Sequence, residues 1–280
     1  MYIKVWGARG SIPVSGYQYD KYGGNTTCVE LKTKNGEAVI LDAGTGIRAL
    51  GNKYIEEKRS EYHLLFSHSH WDHLLGFPFF KPLYSNNSKL NIHGCILAQQ
   101  SIKNILKETM KPPFFPVSLS DVGAELLFDE ECLEHMSFAG LECHSIPLSH
   151  PNIGYGFKLF EGDKSLAFFP DNEFNFAHFG GKTRKEYIEF INNSDVLIHD
   201  SEYLQSEYDS YSRGWGHSVY LDTVKLAIEA EVKHLLMWHL NQDRLDDDVD
   251  RMLDSAREYA IKIGSDIKIT MARQGLEIEL

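Results

Sequence analysis

The chain contains no apolar run that approaches the length of a bilayer span. That argues against a membrane-crossing helix. It opens on Met1-Tyr2-Ile3-Lys4-Val5-Trp6, a strand-like alternation that lacks the basic region and cleavage site of a signal peptide, so a cytoplasmic location is expected. Cysteine is scarce. Cys28, Cys95, Cys132 and Cys143 lie too far apart for a zinc ribbon or a disulfide framework. Cys28 and Cys143 fall in strand-like stretches and read as small buried hydrophobes. Basic residues are outnumbered, 28 Lys and Arg against 40 Asp and Glu, for a net charge of −12. Long nucleic acid is usually held on a broad basic face, so no such partner is expected. A small phosphorylated ligand stays open, because bound metal ions supply local positive charge. With 280 residues, 42% of them hydrophobic, and no low-complexity segment or strong repeat, the expectation is one α/β domain over residues 1–280.

What the chain does have is ligand chemistry. Leu64-Leu65-Phe66 reads as the end of a buried strand and runs directly into His68-Ser69-His70-Trp71-Asp72-His73. A loop at a strand end can turn all of these imidazoles and the carboxylate towards one point. Neutral imidazole nitrogen and carboxylate oxygen are the donors that zinc, manganese and iron accept. The same placement recurs downstream. His150 follows the alternating stretch Leu141 to Leu148, Asp171 ends a hairpin built from Tyr155–Phe160 and Ser165–Phe169, and His239 closes the apolar run His234 to Trp238. Ligands converging from successive strand ends are how α/β folds build active sites.

Other elements are weaker signals. Tyr2–Trp6, Cys28–Thr33 and Ala38–Leu41 read as strands. Asp42-Ala43-Gly44-Thr45-Gly46 looks superficially like a dinucleotide-binding turn, but the next strand ends in histidines, so Asp42 reads instead as a buttress for the metal loop. Helices are predicted over 98–107, 182–192 and 247–261. Another opens at Gly214-Trp215-Gly216-His217-Ser218 and runs to about Ala230, with Ser218 as its N-cap. Residues 108–140 show little regularity, and Lys111-Pro112-Pro113-Phe114-Phe115-Pro116 reads either as a packed surface loop or as a rim over a pocket.

The order His-x-His-x-Asp-His after an apolar strand resembles the metallo-β-lactamase superfamily, and His150, Asp171 and His239 match its later ligands in order. The resemblance covers nearly the whole chain. It implies an αββα sandwich, two mixed β-sheets face to face with helices outside, and a dinuclear centre at one edge. One metal would take His68, His70 and His150, the other Asp72, His73 and His239, with Asp171 bridging. The expected cofactors are two divalent ions, zinc first, manganese or iron as alternatives. Such a pair makes a nucleophile of a bridging hydroxide at neutral pH. The oxygen- and nitric-oxide-reducing branch carries Glu where this chain has His70, which sets redox chemistry aside.

Gly216-His217-Ser218 is similar to ribonuclease Z and related phosphodiesterases, and implies that His217 contacts the phosphate and assists the leaving oxygen, with Asp72 accepting a proton. An imidazolium at a helix N-terminus would suit an anionic transition state. Gly7-Ala8-Arg9-Gly10-Ser11 and Gly23-Gly24-Asn25-Thr26-Thr27 resemble the same branch. Arg9 and Asn25 there either reach substrate or hold the turns. The chain departs from ribonuclease Z where bacterial forms insert a tRNA-gripping arm, between the positions matching His150 and Asp171; here only a short hairpin intervenes. A small or cyclic phosphodiester is therefore the expected substrate, with no long nucleic acid and no membrane as partner, and a homodimer left open. A carbon-centred hydrolase acting on a lactone, thioester or β-lactam is the first alternative. A non-catalytic metal-binding or sensing protein is the second.

Overall fold

A computed structural model describes residues 1–94, 101–129 and 134–280. Two seven-stranded sheets lie face to face. The first runs in the order β14 (Glu277–Glu279), β1 (Tyr2–Gly7), β2 (Cys28–Lys32), β3 (Ala38–Leu41), β4 (Glu61–Phe66), β5 (Lys89–Gly94), β6 (Glu125–Asp129). The second runs β13 (Lys268–Met271), β12 (His234–Trp238), β11 (Val196–Asp200), β10 (Lys164–Phe169), β9 (Gly154–Glu161), β8 (Leu141–Leu148), β7 (His135–Phe138). Both sheets are mixed. β3 to β6 are parallel, as are β10 to β13, while β1–β2–β3 and β7–β8–β9–β10 are antiparallel. This is the metallo-β-lactamase αββα sandwich.

The layering follows from the strand patterns. Strands covered on both faces read as continuous apolar runs, and β4 is such a case. Leu65 enters the core between the sheets, while Tyr62, Leu64 and Phe66 face the opposite way, into the outer core. The inter-sheet core joins Ile3, Val5, Val39 and Leu65 to Phe157, Leu166, Ile198 and Trp238. Outside the first sheet lie α1 (Ile47–Glu56) and α3 (Ile102–Thr109). Outside the second lie α4 (Arg184–Ile191), α6 (Tyr220–Glu229) and α7 (Asp246–Lys262). Each fully buried large apolar side chain contributes roughly 1.5–3 kcal/mol, so three packed interfaces give the strand ends a rigid platform.

Several boundaries differ from expectation. Of the helix predicted over 98–107, residues 98–100 lie outside the described residues, as do Cys95 and Cys132; the helix itself is Ile102–Thr109. The irregular stretch 108–140 holds two strands, β6 and β7, at sheet edges. Phe115 packs on Phe79 with ring centroids 5.6 Å apart, so its segment is a packed surface loop against the outer core. The fourth predicted helix starts late. Val219 bridges Tyr203, and α6 begins at Tyr220 with no side-chain cap. Ser218 Oγ donates to the Asn172 carbonyl instead of capping. Among the described residues no helix is long and apolar enough to cross a membrane.

Candidate metal centre

The strand ends β4, β8, β10, β11 and β12 open on one edge of the sandwich. After β4 the chain stays extended through His70, then makes the single turn α2 (Trp71–Leu74), which places Asp72 and His73 opposite His68 and His70. The turn is pinned to the end of β3, where the Ala43 amide donates to the His73 carbonyl and the Gly76 amide to the Ala43 carbonyl. Two groups of ligand atoms result, each with all members within 4.8 Å of one another: His68, His70, His150 and Asp171; and Asp72, His73, Asp171 and His239. Every residue expected at the centre is there, and Asp171 belongs to both groups.

Distances show how closely the donors face one another. His73 Nε2 lies 3.1 Å from Asp171 Oδ1 and 3.3 Å from Asp72 Oδ2. His239 Nε2 lies 3.1 Å from Asp72 Oδ2 and 3.4 Å from Asp171 Oδ2. His68 Nε2 is 3.5 Å from Asp171 Oδ2, and His150 Nε2 is 3.0 Å from His70 Nδ1.

Tautomers are set from behind. His73 Nδ1 faces Asp42 at 2.8 Å, His239 Nδ1 faces Glu202 at 2.9 Å, His150 Nδ1 donates to the Gly216 carbonyl at 2.8 Å, and His68 Nδ1 meets Ser67 Oγ at 3.0 Å. Each contact occupies Nδ1 and turns that ring's Nε2 to the centre, whereas His70 presents Nδ1, 3.0 Å from His150 Nε2. Burial pushes the His150 imidazole down to about 3, keeping it neutral.

The donor set fits divalent ions. His68 Nε2, His73 Nε2 and Asp171 Oδ1 are buried and make no well-aligned hydrogen bond, the 3.1 Å approach of the last two included, a costly state for polar atoms away from water. The carboxylates buried at this edge include Asp42, Asp72, Asp171, Asp200 and Glu202. Among the described residues none pairs with lysine or arginine. Buried negative charge needs a counter-charge; the His217 imidazole beside Asp200 and Glu202 meets part of that need, and two divalent cations would supply the rest.

His217 sits beside the second group. Its ring stacks on His239 with centroids 4.4 Å apart, and its Nδ1 lies 2.9 Å from Asp200 Oδ2 and 3.5 Å from Glu202 Oε2. Burial alone would lower this imidazolium, but Glu202 and Asp200 outweigh it and hold it up at about 9. The expected placement of His217 at a helix N-terminus is corrected here. The helix starts after it, and the Ser218 amide donates to Asp200. The positive charge is therefore stabilised by carboxylates rather than by a helix end.

Asp200, Glu202 and Glu173 were not singled out from the sequence. Asp200 closes a buried strand, the same signal that marked His150 and His239. Glu173 accepts from the Gly214 and Gly216 amides at 2.7 Å each and so fixes the loop that carries His217. Gly216, at φ +99°, has no room for a Cβ, which would stand 2.3 Å from His150 Nδ1. Arg9 and Asn25 hold turns. Arg9 donates to the carbonyls of Gly23, Asn241 and Arg244, and Asn25 Nδ2 to Gln274 Oε1. Next to His217 opens a cavity of about 680 Å³ lined by Ser11, Tyr203, Tyr211, Trp215 and the 241–244 loop, without any residue of 111–116.

An αββα sandwich with paired His/Asp ligand groups at its strand ends is a metal-dependent hydrolase of metallo-β-lactamase fold. The chain belongs to the beta-lactamase superfamily: the model of the Beta-lactamase superfamily domain matches residues 37–240. Ribonuclease Z of Picrophilus torridus is 23% identical over 279 residues, covering 85% of this chain and 84% of that protein. Among solved structures, the metallo-beta-lactamase fold protein YhfI from Bacillus subtilis superposes with a TM-score of 0.72 at 17% identity, covering 100% of this chain and 99% of the other. Human tRNase Z, short form, gives 0.66 at 16% identity, with coverage of 100% and 99%. These relatives overturn the expectation that long nucleic acid is no partner, since the chain is similar over most of its length to a ribonuclease. The physical reason is that net charge sums over a whole surface, whereas a phosphate is bound locally.

Proposed function

We propose that the chain is a dinuclear-metal phosphodiesterase. One metal would be held by His68, His70 and His150, the other by Asp72, His73 and His239, with Asp171 within reach of both. The observation that carries the reading is His217, a buried imidazole held charged by Asp200 and Glu202, stacked on His239 and facing the cavity. Bound there, divalent ions, zinc by preference, would polarise a phosphoryl oxygen and lower the pKa of water. Hydrolysis forms a bond from water oxygen to phosphorus as the P–O bond to the departing alcohol breaks. Asp72 accepts the water proton, and His217 gives its own proton to the leaving oxygen. Asp200 and Glu202 keep the imidazole oriented and protonated for that transfer. A lactone or ester leaves no comparable need for a second cation beside the metals, which favours phosphorus over carbon as the centre attacked.

The cavity is of a size that takes a small or cyclic phosphodiester, and an RNA chain whose scissile phosphate reaches its mouth meets the same groups. Residues 1–280 are taken as a single hydrolase domain, with β1 and β14 from opposite ends of the chain paired in one sheet. A cytoplasmic setting suits the unpaired Cys28 and Cys143.

The test is metal content together with hydrolysis of bis-p-nitrophenyl phosphate by wild type, Asp171→Ala and His217→Ala. The reading expects about two metals per chain and metal lost with activity in Asp171→Ala. His217→Ala should keep its metal and lose kcat by about 10²–10⁴-fold. Two metals without phosphodiester hydrolysis would point to the lactone and ester alternative, and a wild type that takes up no metal would end the proposal.

A further inference from the structure

We propose that the outer face of β7 and β8 carries a separate metal site, formed by His135, Glu142 and His144. It takes one divalent ion of the zinc, nickel or copper kind and clasps the edge strand to its neighbour. The three side chains share a face. Residues two apart on a strand point the same way, which puts Glu142 beside His144, and the antiparallel register sets His135 directly opposite His144. Met136, Phe138, Leu141 and Cys143 turn inward to the core between the sheets, which leaves His135, Glu142 and His144 on the outer side.

One donor atom from each of the three lies within 4.8 Å of the other two. His144 Nε2 and Glu142 Oε1 are 2.6 Å apart, and the His135 and His144 rings meet edge to face with centroids 4.1 Å apart. Bonds of about 2.0–2.2 Å to a tetrahedral zinc put its donors about 3.3–3.6 Å apart, which small rotations of these solvent-facing side chains reach. Two imidazoles and a carboxylate suit zinc, nickel or copper better than magnesium or calcium, which prefer oxygen. Both imidazoles line a groove of about 610 Å³ where Glu134, Glu186 and Glu189 outnumber Lys182, and Lys182 pairs with Glu186 at 3.7 Å. Lys158, opposite His144 on β9, donates to the Asn192 carbonyl at 2.8 Å. The surroundings therefore favour a cation.

This site stands apart from the dinuclear centre. His144 lies on the outer face, about 13 Å short of the end of β8 at which His150 follows. β7 is the last strand of its sheet and, among the described residues, pairs with β8 alone. Its Phe138 covers His63 and His93 of the first sheet, with ring centroids 5.6 and 4.4 Å away. An ion joining β7 to β8 thus holds the cover over this edge of the sandwich. Solvent-facing donors must be ordered as they bind, so the ion is held more weakly than in the buried centre and leaves on dialysis.

The experiment counts bound zinc by equilibrium dialysis at micromolar free zinc, for wild type, His135→Ala, His144→Ala and Ser137→Ala. Wild type and Ser137→Ala, whose residue shares the outer face without belonging to the donor set, should bind one ion more than either histidine variant. That ion should be lost on return to metal-free buffer. Asp171→Ala, emptied at the dinuclear centre, should still take it up. Hydrolysis of bis-p-nitrophenyl phosphate should be the same in wild type, both histidine variants and Ser137→Ala. Zinc should slow amide exchange over residues 135–144 in wild type and leave it unchanged in His144→Ala. Equal zinc in wild type and both histidine variants overturns the site, as does a deficit accompanied by lost hydrolysis, which would place the missing ion at the centre. An extra ion that leaves exchange in β7 unchanged overturns the clasp.

Discussion

Asp42→Asn is the substitution that most directly tests whether His73 offers its Nε2 to a metal. Asp42 is fully buried at the end of β3, in a left-handed backbone conformation (φ +58°) that Asn tolerates as well as Asp. Its Oδ1 accepts the Ser67 amide at 2.7 Å; its Oδ2 accepts Ser67 Oγ at 2.7 Å and faces His73 Nδ1 at 2.8 Å. The Ser67 amide can only donate, so the asparagine oxygen must take the Oδ1 position and the NH2 group the Oδ2 position. Ser67 Oγ can rotate to accept, but His73 Nδ1 now meets a donor and must become an acceptor. The imidazole proton then moves to Nε2, the atom aimed at Asp171 and Asp72, and blocks ligation. Disturbing the partner behind a metal-binding His typically weakens metal affinity by about 10–100-fold. Chelator-competition titration with zinc should therefore show weaker binding of one of two ions, while the metal-free unfolding free energy from urea titration stays within about 1–2 kcal/mol of wild type, one hydrogen bond having been exchanged for another. Unchanged zinc affinity in a folded variant would refute the tautomer argument and His73 as an Nε2 ligand.

Gly216→Ala should lose metal and activity together, because a Cβ there would stand 2.3 Å from His150 Nδ1 at a backbone φ of +99°; strain of about 1–3 kcal/mol or more should also lower the thermal midpoint, and a variant with full metal content would refute it. The paired imidazoles His63 and His93, 3.1 Å apart, give a pH prediction away from the metals. Burial and the neighbouring His93 push His63 down to about 4, below its unfolded value of about 6.5. The unfolded chain therefore binds the extra proton between these values, so the stabilising effect is complete above about pH 6.5 and is lost as pH falls towards 4. Urea unfolding of chelator-treated protein should show that slope in wild type and a flatter one in His63→Phe; identical slopes would refute it.

How much of this was legible in the sequence depended on how local each feature is. The cluster from His68 to His73 declares itself because its donors are packed into one turn, and His150, Asp171 and His239 because each stands at the end of a strong strand. Asp200 stands at a strand end too, yet a single carboxylate there has many uses, and only its 2.9 Å contact with His217 shows which one applies. β6 and β7 escaped notice because they are short edge strands whose burial alternates with exposure, giving no continuous apolar run. The start of α6 was misplaced for a different reason. Ser218 has the chemistry of an N-cap, but its hydroxyl is used on Asn172 and its neighbour Val219 bridges Tyr203, so tertiary contacts overrode the local preference.

The partner expectation failed on a physical simplification that the site itself exposes. A net charge of −12 by itself predicts a surface hostile to RNA. Asp42, Asp72, Asp171, Asp200 and Glu202 all count towards that figure, yet all are buried at the metal centre rather than spread over the outer surface. Two divalent ions would offset four of these five. The acidity that argued against a polyanion is therefore in part the apparatus for binding one phosphate, because each carboxylate that orients an imidazole or completes a ligand set raises the local demand for cations. Net charge constrains partners only after buried functional charge has been set apart from surface charge, and that division needs the fold.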